Sequence, residues 1–333
     1  MQCIQSDYSS DESAYDKLLL KAAVSRMSFL NCGEKIRLSK KLDNIDELAL
    51  LSKNDVEQFA ARPIKSRFEN CSLFVAEAEL DLKLMEKYGI RLVCYDDADY
   101  PALLREIPQP PFCLYYRGSL NAVKNDCIGI VGTRHPDGTG LEEAFKFGKD
   151  CASAGVTVVS GLAAGIDAAA HKGAVSVSAD KTVAVCGCGV DTLYPAVNKR
   201  LAQTIISGGG CIMSEYPPGT PPEKWRFPER NRIISGLSKG VCVIEAPGKS
   251  GALITVEFAL EQGRDVCFHS VALDFSKRLE KNIKNEDDVF KSLTGVQRYV
   301  AEGAPVVDNA QKMLEFMLHT KTQQSFDFCF SNT

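Results

Sequence analysis

The chain has 333 residues, long enough for two domains with one substantial core. Hydrophobic residues make up 45% and charged residues 25%, ordinary for a globular protein, and no apolar run approaches the roughly 18–20 residues that span a bilayer. The net charge of −4 argues against a generally basic nucleic-acid binder, so any such function must sit in a local groove.

The first seventeen residues, MQCIQSDYSSDESAYDK, are polar and acidic, unlike a signal peptide, and the expected compartment is the cytoplasm. Thirteen cysteines are present, several inside apolar strands (Cys127, Cys186, Cys211, Cys242, Cys267), where they act as small hydrophobes. No C-x-x-C pair or ligand-spaced Cys/His cluster occurs, so no metal is expected, and the thiols are read as reduced. The Cys186-Gly187-Cys188 stretch is read as small-residue turn packing.

Residues 1–15 carry no period and read as disordered. From about Tyr15 to Tyr88, Leu18, Leu19, Ala22, Ala23 and Met27 recur at helical spacing, as do Ile45, Leu48 and Leu51 and then Leu73, Val75, Leu80 and Leu84. Residues 1–88 are therefore a small all-α domain of short helices. Residues 89–125 change character. A strand at Arg91–Tyr95 and a second at Phe112–Arg117 bracket the Ile107-Pro108-Gln109-Pro110-Pro111 break, forming a connector strapped to the core domain.

That core domain is expected over residues 126–310. Apolar runs at Cys127–Val131, Val156–Val159, Thr182–Cys186, Cys211–Met213, Gly240–Ile244 and Asp265–Phe268 alternate with helical patterns, the signature of a mostly parallel α/β sheet with crossover helices. Each strand ends in a turn of small residues, which places a ligand crevice at the carboxyl ends. Two turns stand out, Gly132-Thr133-Arg134 and Ser160-Gly161. Small residues let backbone amides approach a ligand, and the helix N-termini beyond them favour an anion. The two are expected side by side as a phosphate-binding rim. Residues 311–333 read as a C-terminal tail, with one helical stretch at Ala310–His319.

Four constellations carry candidate chemistry. The glycine turns lack the G-x-G-x-x-G spacing and the acid at the next strand end, and no G-x-x-x-x-G-K-[ST] is present, so neither a nicotinamide cofactor nor a P-loop is expected. Lys224-Trp225-Arg226-Phe227-Pro228-Glu229-Arg230-Asn231-Arg232 interleaves four cations with two aromatics. Unpaired nucleic acid offers phosphates to the former and base faces to the latter. The bland alternative is that Trp225 and Phe227 are core residues under a salt-bridged loop. Asp167 and His171, four apart on one helix face, are either an acid/base dyad or a structural tie to the sheet, and no G-x-S-x-G elbow accompanies them. Lys249 and Ser250 open a helix whose amides can hold an anion.

Together the segments IGIVGTRHP, VVSGLAAGIDAAAHKGA, TVAVCGCGVDTLYP, SEYPPGTPP, FPERNRIISGLS and EAPGKSGALITVEFALEQGR resemble the DNA-processing protein A family (DprA, also called Smf), over about residues 90–270. The resemblance implies an extended Rossmann-like fold preceded by a sterile-alpha-motif-like helical domain. It also implies single-stranded DNA binding, hand-over of that strand to the RecA recombinase in natural transformation, and a homodimer. No catalysis and no cofactor are implied. By motif, Arg134 and Lys224 should each bind a phosphate and Phe227 should stack on or wedge against a base. Gly132 and Thr133 belong to the same turn, Ser160, Gly161 and Gly165 should shape the pocket floor, and Arg230, Asn231 and Arg232 should line the rim, with Lys249 and Ser250 as further candidates. Many members carry a C-terminal winged helix, and the roughly 60 residues after the last strand here lack that pattern. The alternative is a phosphoribohydrolase-like enzyme of related fold. Its P-G-G-x-G-T-x-x-E motif expects an acid where Thr255 stands, with Glu257 two positions on.

Overall fold

The computed structural model describes residues 12–248, 250–281 and 295–317. These divide into two compact units. One holds the residues up to Arg117 with Gly187–Thr192 and Met213–Glu223; the other holds Gly118–Cys186, Leu193–Ile212 and the residues from Lys224 onward.

The first unit opens with five helices, α1 (Glu12–Arg26), α2 (Cys32–Lys41), α3 (Ile45–Leu50), α4 (Lys53–Ala60) and α5 (Ser72–Tyr88). Their starts arise from local side-chain chemistry. Asn31 and Ser52 each close a capping box, with Glu34 and Asp55, and Asn44 caps α3. Inside the bundle Arg26 forks onto Asp81, with Nε 2.6 Å from Oδ2 and Nη2 2.5 Å from Oδ1. Burial raises the Asp81 carboxyl above its ordinary range, and the Arg26 fork pulls it back. Strand β1 (Arg91–Cys94), the short helix α6 (Ala102–Arg105) and β2 (Cys113–Gly118), all but its last residue, follow in the same unit, with β1 and β2 antiparallel. Their register sets Cys94 opposite Cys113, and the two are joined by a disulfide. The expectation of reduced thiols throughout is thereby corrected: cross-strand pairing brings two cysteines 19 positions apart into bonding range. Of the other described cysteines, all but Cys32 are buried.

The second unit is the α/β layer. In chain order it contains β3 (Cys127–Val131), α7 (Gly138–Ser153), β4 (Thr157–Ser160), α8 (Ile166–Val177), β5 (Thr182–Val185), α9 (Lys199–Ser207) and the first two residues of β6 (Cys211–Ser214), whose last two are counted with the first unit. It continues with α10 (Arg226–Leu237), β7 (Gly240–Val243), α11 (Gly251–Glu261), β8 (Asp265–His269), α12 (Ser270–Lys281) and β9 (Val306–Val307). The strands run β5-β4-β3-β7-β8-β9 with β6 beside β5, and the pairings from β5 to β9 are parallel. The fold class is thus α/β, Rossmann-like and mostly parallel, preceded in the chain by a helical region. Strands β3, β4, β5 and β7 are buried at every residue, as an apolar sheet covered on both faces requires. Helices α7 and α8 meet through small residues. A side chain on Gly148 would stand 2.3 Å from the Ala170 carbonyl, and one on Gly173 would stand 1.9 Å from that of Phe145.

Strand order reverses between β3 and β7, where adjacent crossovers leave on opposite sides and open a crevice at the carboxyl edge. Beyond β8 the structure departs from the sequence expectation of a single helix. The chain runs directly into α12, forms helical turns at 295–301, adds β9 and turns helical again over 310–317. Met313 in that last stretch is buried in the core beside Phe147 and Cys267. His319 and the rest of the expected tail from 318 lie outside the described residues, as do residues 1–11 of the expected disordered start.

Candidate functional site

The first glycine turn leaves β3 under tight constraint. A Cβ at Gly132 would lie 2.5 Å from Ile166 Cγ1 and 2.8 Å from the Glu245 carbonyl, so no larger residue fits. The next amide, Thr133 N–H, donates to that Glu245 carbonyl at 2.7 Å, and Thr133's own carbonyl accepts from Ile166 N–H at the start of α8. The turn is thus pinned between the exit of β7 and the N-terminus of α8, and Arg134 projects from it into solvent.

Around that turn lies a cleft of about 320 Å³. It is lined by Val131, Gly132, Thr133, Arg134 and His135 from the β3 exit, and by Ala163 and Asp167 from the approach to α8. Lys224, Phe227, Pro228, Arg230, Asn231 and Ile234 come from the α10 segment, and Ser250, Gly251, Ala252 and Thr255 from the start of α11. Arg134, Lys224 and Phe227 therefore share one cavity although 90 residues separate the first two. The Arg134 guanidinium carbon lies 5.4 Å from the Phe227 ring centroid, a cation–π contact that holds both over the opening. Trp225, expected as a core residue under the alternative view, is 57% exposed, with the Arg226 guanidinium 4.9 Å from its ring.

Eight of the thirteen expected residues line the cleft: Gly132, Thr133, Arg134, Lys224, Phe227, Arg230, Asn231 and Ser250. Arg230 and Asn231 are in its wall and not on its rim, since both are buried. Arg230 Nη1 donates to the Gly161 carbonyl at 2.8 Å and to the Val185 carbonyl, and its Nε donates to Asn231 Oδ1 at 3.2 Å. Asn231 Nδ2 reaches the Gly251 carbonyl at 2.9 Å, tying α10 to α11. Arg232 is a correction: it is buried, does not line the cleft, and donates to the Glu229 carbonyl at 3.4 Å.

The second turn is also corrected. Ser160 and Gly161 are buried, and both are consumed internally: Ser160 Oγ donates to the Ile130 carbonyl at 2.6 Å, and Gly161 N–H donates to Asp167 Oδ2 at 3.1 Å. Gly165 shapes the floor indirectly. It takes φ +81, and a Cβ there would sit 2.4 Å from the Thr133 carbonyl. The place foreseen for the second amide rim is taken by the start of α11, where Gly251 and Ala252 face the cleft with amides that precede the first bond of the helix, Leu253 N–H to the Ser250 carbonyl at 3.1 Å. Ser250, at the N-cap, makes no capping bond, and its buried hydroxyl has no hydrogen-bond partner among the described residues. Lys249 lies outside the described residues.

Asp167 and His171 do not act as a pair. Asp167 accepts from Gly161; burial raises its carboxyl, while the Arg230 charge and the Ala163 and Gly161 amides pull it down. His171 is fully buried with Nδ1 2.7 Å from Thr182 Oγ1, and burial, aided by the Arg230 charge, pushes its imidazole down to about 3. This is the structural tie. Sequence inspection missed Tyr194, whose ring centroid is 5.5 Å from that of Phe227. Its only signal was an aromatic beside Pro195 at the mouth of a strand-end loop.

A family model described as DNA recombination-mediator protein A matches residues 91–318. Protein Smf of Synechocystis is 50% identical over 175 residues; the match takes in 51% of this chain and 44% of that protein, so the chain spans under half of its length. The X-ray structure of DNA processing protein A from Streptococcus pneumoniae superposes with a TM-score of 0.68 at 31% identity, covering 90% of this chain and 96% of that one. The Helicobacter pylori DNA processing protein A, whose structure was described for its unique single-stranded DNA binding mode, shares the fold. Its TM-score is 0.56 at 23% identity, with 69% and 96% coverage. With two thirds of its length inside that family model and its motifs gathered at one cleft, the chain belongs to the DNA recombination-mediator protein A family, the DprA/Smf proteins.

Proposed function

We propose that this chain binds single-stranded DNA at the β3–β7 crevice, shelters the strand and hands it to RecA for recombination, acting in the cytoplasm as a homodimer during natural transformation. One observation carries the reading: Arg134, Lys224 and Phe227 surround a single cleft. A guanidinium and an ammonium meet phosphates, and an aromatic ring among them meets unpaired bases, a combination that a duplex with its bases stacked inside does not satisfy. The Ser250 hydroxyl, without a partner among the described residues, and the amides of Gly251 and Ala252 add donors for a phosphate oxygen. The Helicobacter pylori relative's single-stranded DNA binding supports the same assignment.

Hydrolysis of a nucleotide gains no support. Thr255, not a carboxylate, faces the cleft, and Glu257 two positions on is exposed and does not line it. The carboxylate that does line it, Asp167, is occupied by the Gly161 amide. We therefore read the chain as a binding protein that breaks no bond.

The test is a mobility shift of oligothymidine with wild type and with Arg134→Ala plus Lys224→Ala. The double variant should bind at least tenfold more weakly, in line with two lost charged contacts. Equal binding by both proteins would refute the assignment. Sedimentation of the free protein tests the dimer, and strand exchange by RecA on pre-coated DNA, with and without the protein, tests the hand-over.

A further inference from the structure

We infer that Tyr194 is a second base-stacking surface, taking the nucleotide next to the one at Phe227. This rests on the single-stranded DNA reading of the cleft. The Tyr194 and Phe227 ring centroids are 5.5 Å apart with planes 39° from parallel. Phe227 already carries Arg134 over its ring and is only partly exposed, whereas Tyr194 is 43% exposed. Of the two rings in contact, the tyrosine therefore offers the larger open π surface.

The arm bearing that ring is anchored. Pro195 caps a 3-10 turn over Ala196–Asn198. Asn198 is buried, and its Nδ2 donates to the Leu162 carbonyl at 2.9 Å and to the Ala163 carbonyl at 3.1 Å. Ala163 lines the cleft, so Tyr194 is held in fixed relation to the cleft wall. Val197 on the same arm is 77% exposed. Apolar surface left open on an anchored loop has no core to serve, and it suits the face of a base. The occupant is an unpaired nucleotide of any base, because every base offers a π face, whereas a paired base keeps its faces inside the duplex stack.

The test is fluorescence anisotropy of labelled oligothymidine, intact and with single abasic positions scanned along it. The proteins are wild type, Tyr194→Phe, Tyr194→Leu and Tyr194→Ala, each with its thermal melt. Tyr194→Leu keeps an apolar contact on Phe227 without a ring, so it stays informative should Tyr194→Ala unfold. Stacking predicts about tenfold weaker binding for Tyr194→Leu and Tyr194→Ala, and no more than twofold for Tyr194→Phe. It also predicts that one abasic position costly to wild type costs the ringless variants nothing further. If ringless variants bind within twofold of wild type, or keep every abasic penalty, the assignment of Tyr194 is overturned. When Arg134→Ala plus Lys224→Ala still weakens binding in that case, the cleft reading survives; when that pair binds as wild type does, both fall.

Discussion

His171 shows how a titratable side chain can be committed to stability on the same helix that supplies Asp167 to the cleft. It is fully buried, bonds to Thr182 Oγ1, and has its imidazole pushed down to about 3 by burial. In the unfolded chain it protonates near 6.5. Between those values the unfolded state holds the extra proton, so this contribution to stability is present above about 6.5 and declines as pH falls. The slope is about 1.4 kcal/mol per pH unit. Urea unfolding at pH 7 and pH 5 should show wild type losing about 2 kcal/mol more than His171→Asn, a difference in which the other titrating groups cancel. Equal losses in the two proteins would mean that His171 is charged inside the fold. The glycine at 132 makes the complementary case: Ile166 and the Glu245 carbonyl fill the space a methyl would need. Gly132→Ala should therefore displace the turn and weaken oligothymidine binding even though Arg134 and Lys224 remain, measured by the same mobility shift.

At the scale of elements, α10 does two jobs along one helix. Its first turn carries Phe227 to the cleft mouth, and every residue from Arg230 to Leu237 is buried. Arg230 is the hinge between the two roles. Its guanidinium joins the Gly161 and Val185 carbonyls at the ends of β4 and β5, and its charge offsets part of the burial that raises the Asp167 carboxyl. Arg230→Met should leave those carbonyls and a buried carboxylate uncompensated and cost about 3–5 kcal/mol in urea unfolding. Asp167→Asn added to Arg230→Met should recover part of that loss, because the isolated charge is gone. A cost within 0.5 kcal/mol for the single variant would show Arg230 to be a surface ligand residue after all. The basic–aromatic run made α10 visible in the sequence, but a cation at the start of a helix carries no mark of whether it faces solvent or carbonyls. For the same reason Ser160 and Gly161 looked like a ligand rim: small residues suit close packing and close ligand approach equally well. Tyr194 escaped notice because nothing local joins it to Phe227, 33 positions on.

Across the whole molecule, the parallel strands were readable because each is a short apolar run closed by small residues, and the crevice could be placed from the turns at their ends. The region after β8 was not, since α12 starts at Ser270 with no turn after His269, and β9 is two residues long. Charge is the property that only the assembled chain reveals. The protein is acidic overall at −4, yet the cleft presents Arg134 and Lys224 to solvent while Arg230 is spent on carbonyls. Two available cations set a shallow dependence on salt, because each phosphate neutralised on a single strand contributes about −0.7 to the slope of log affinity against log salt. The expected slope is about −1.4, or roughly a sevenfold loss between 50 and 200 mM salt, where a broadly basic binder would lose far more. Anisotropy titrations over that range should give this slope for wild type and about −0.7 for Lys224→Ala. A slope steeper than −4 would place many other cations on the strand, and a flat one would mean that the two exposed cations touch no phosphate.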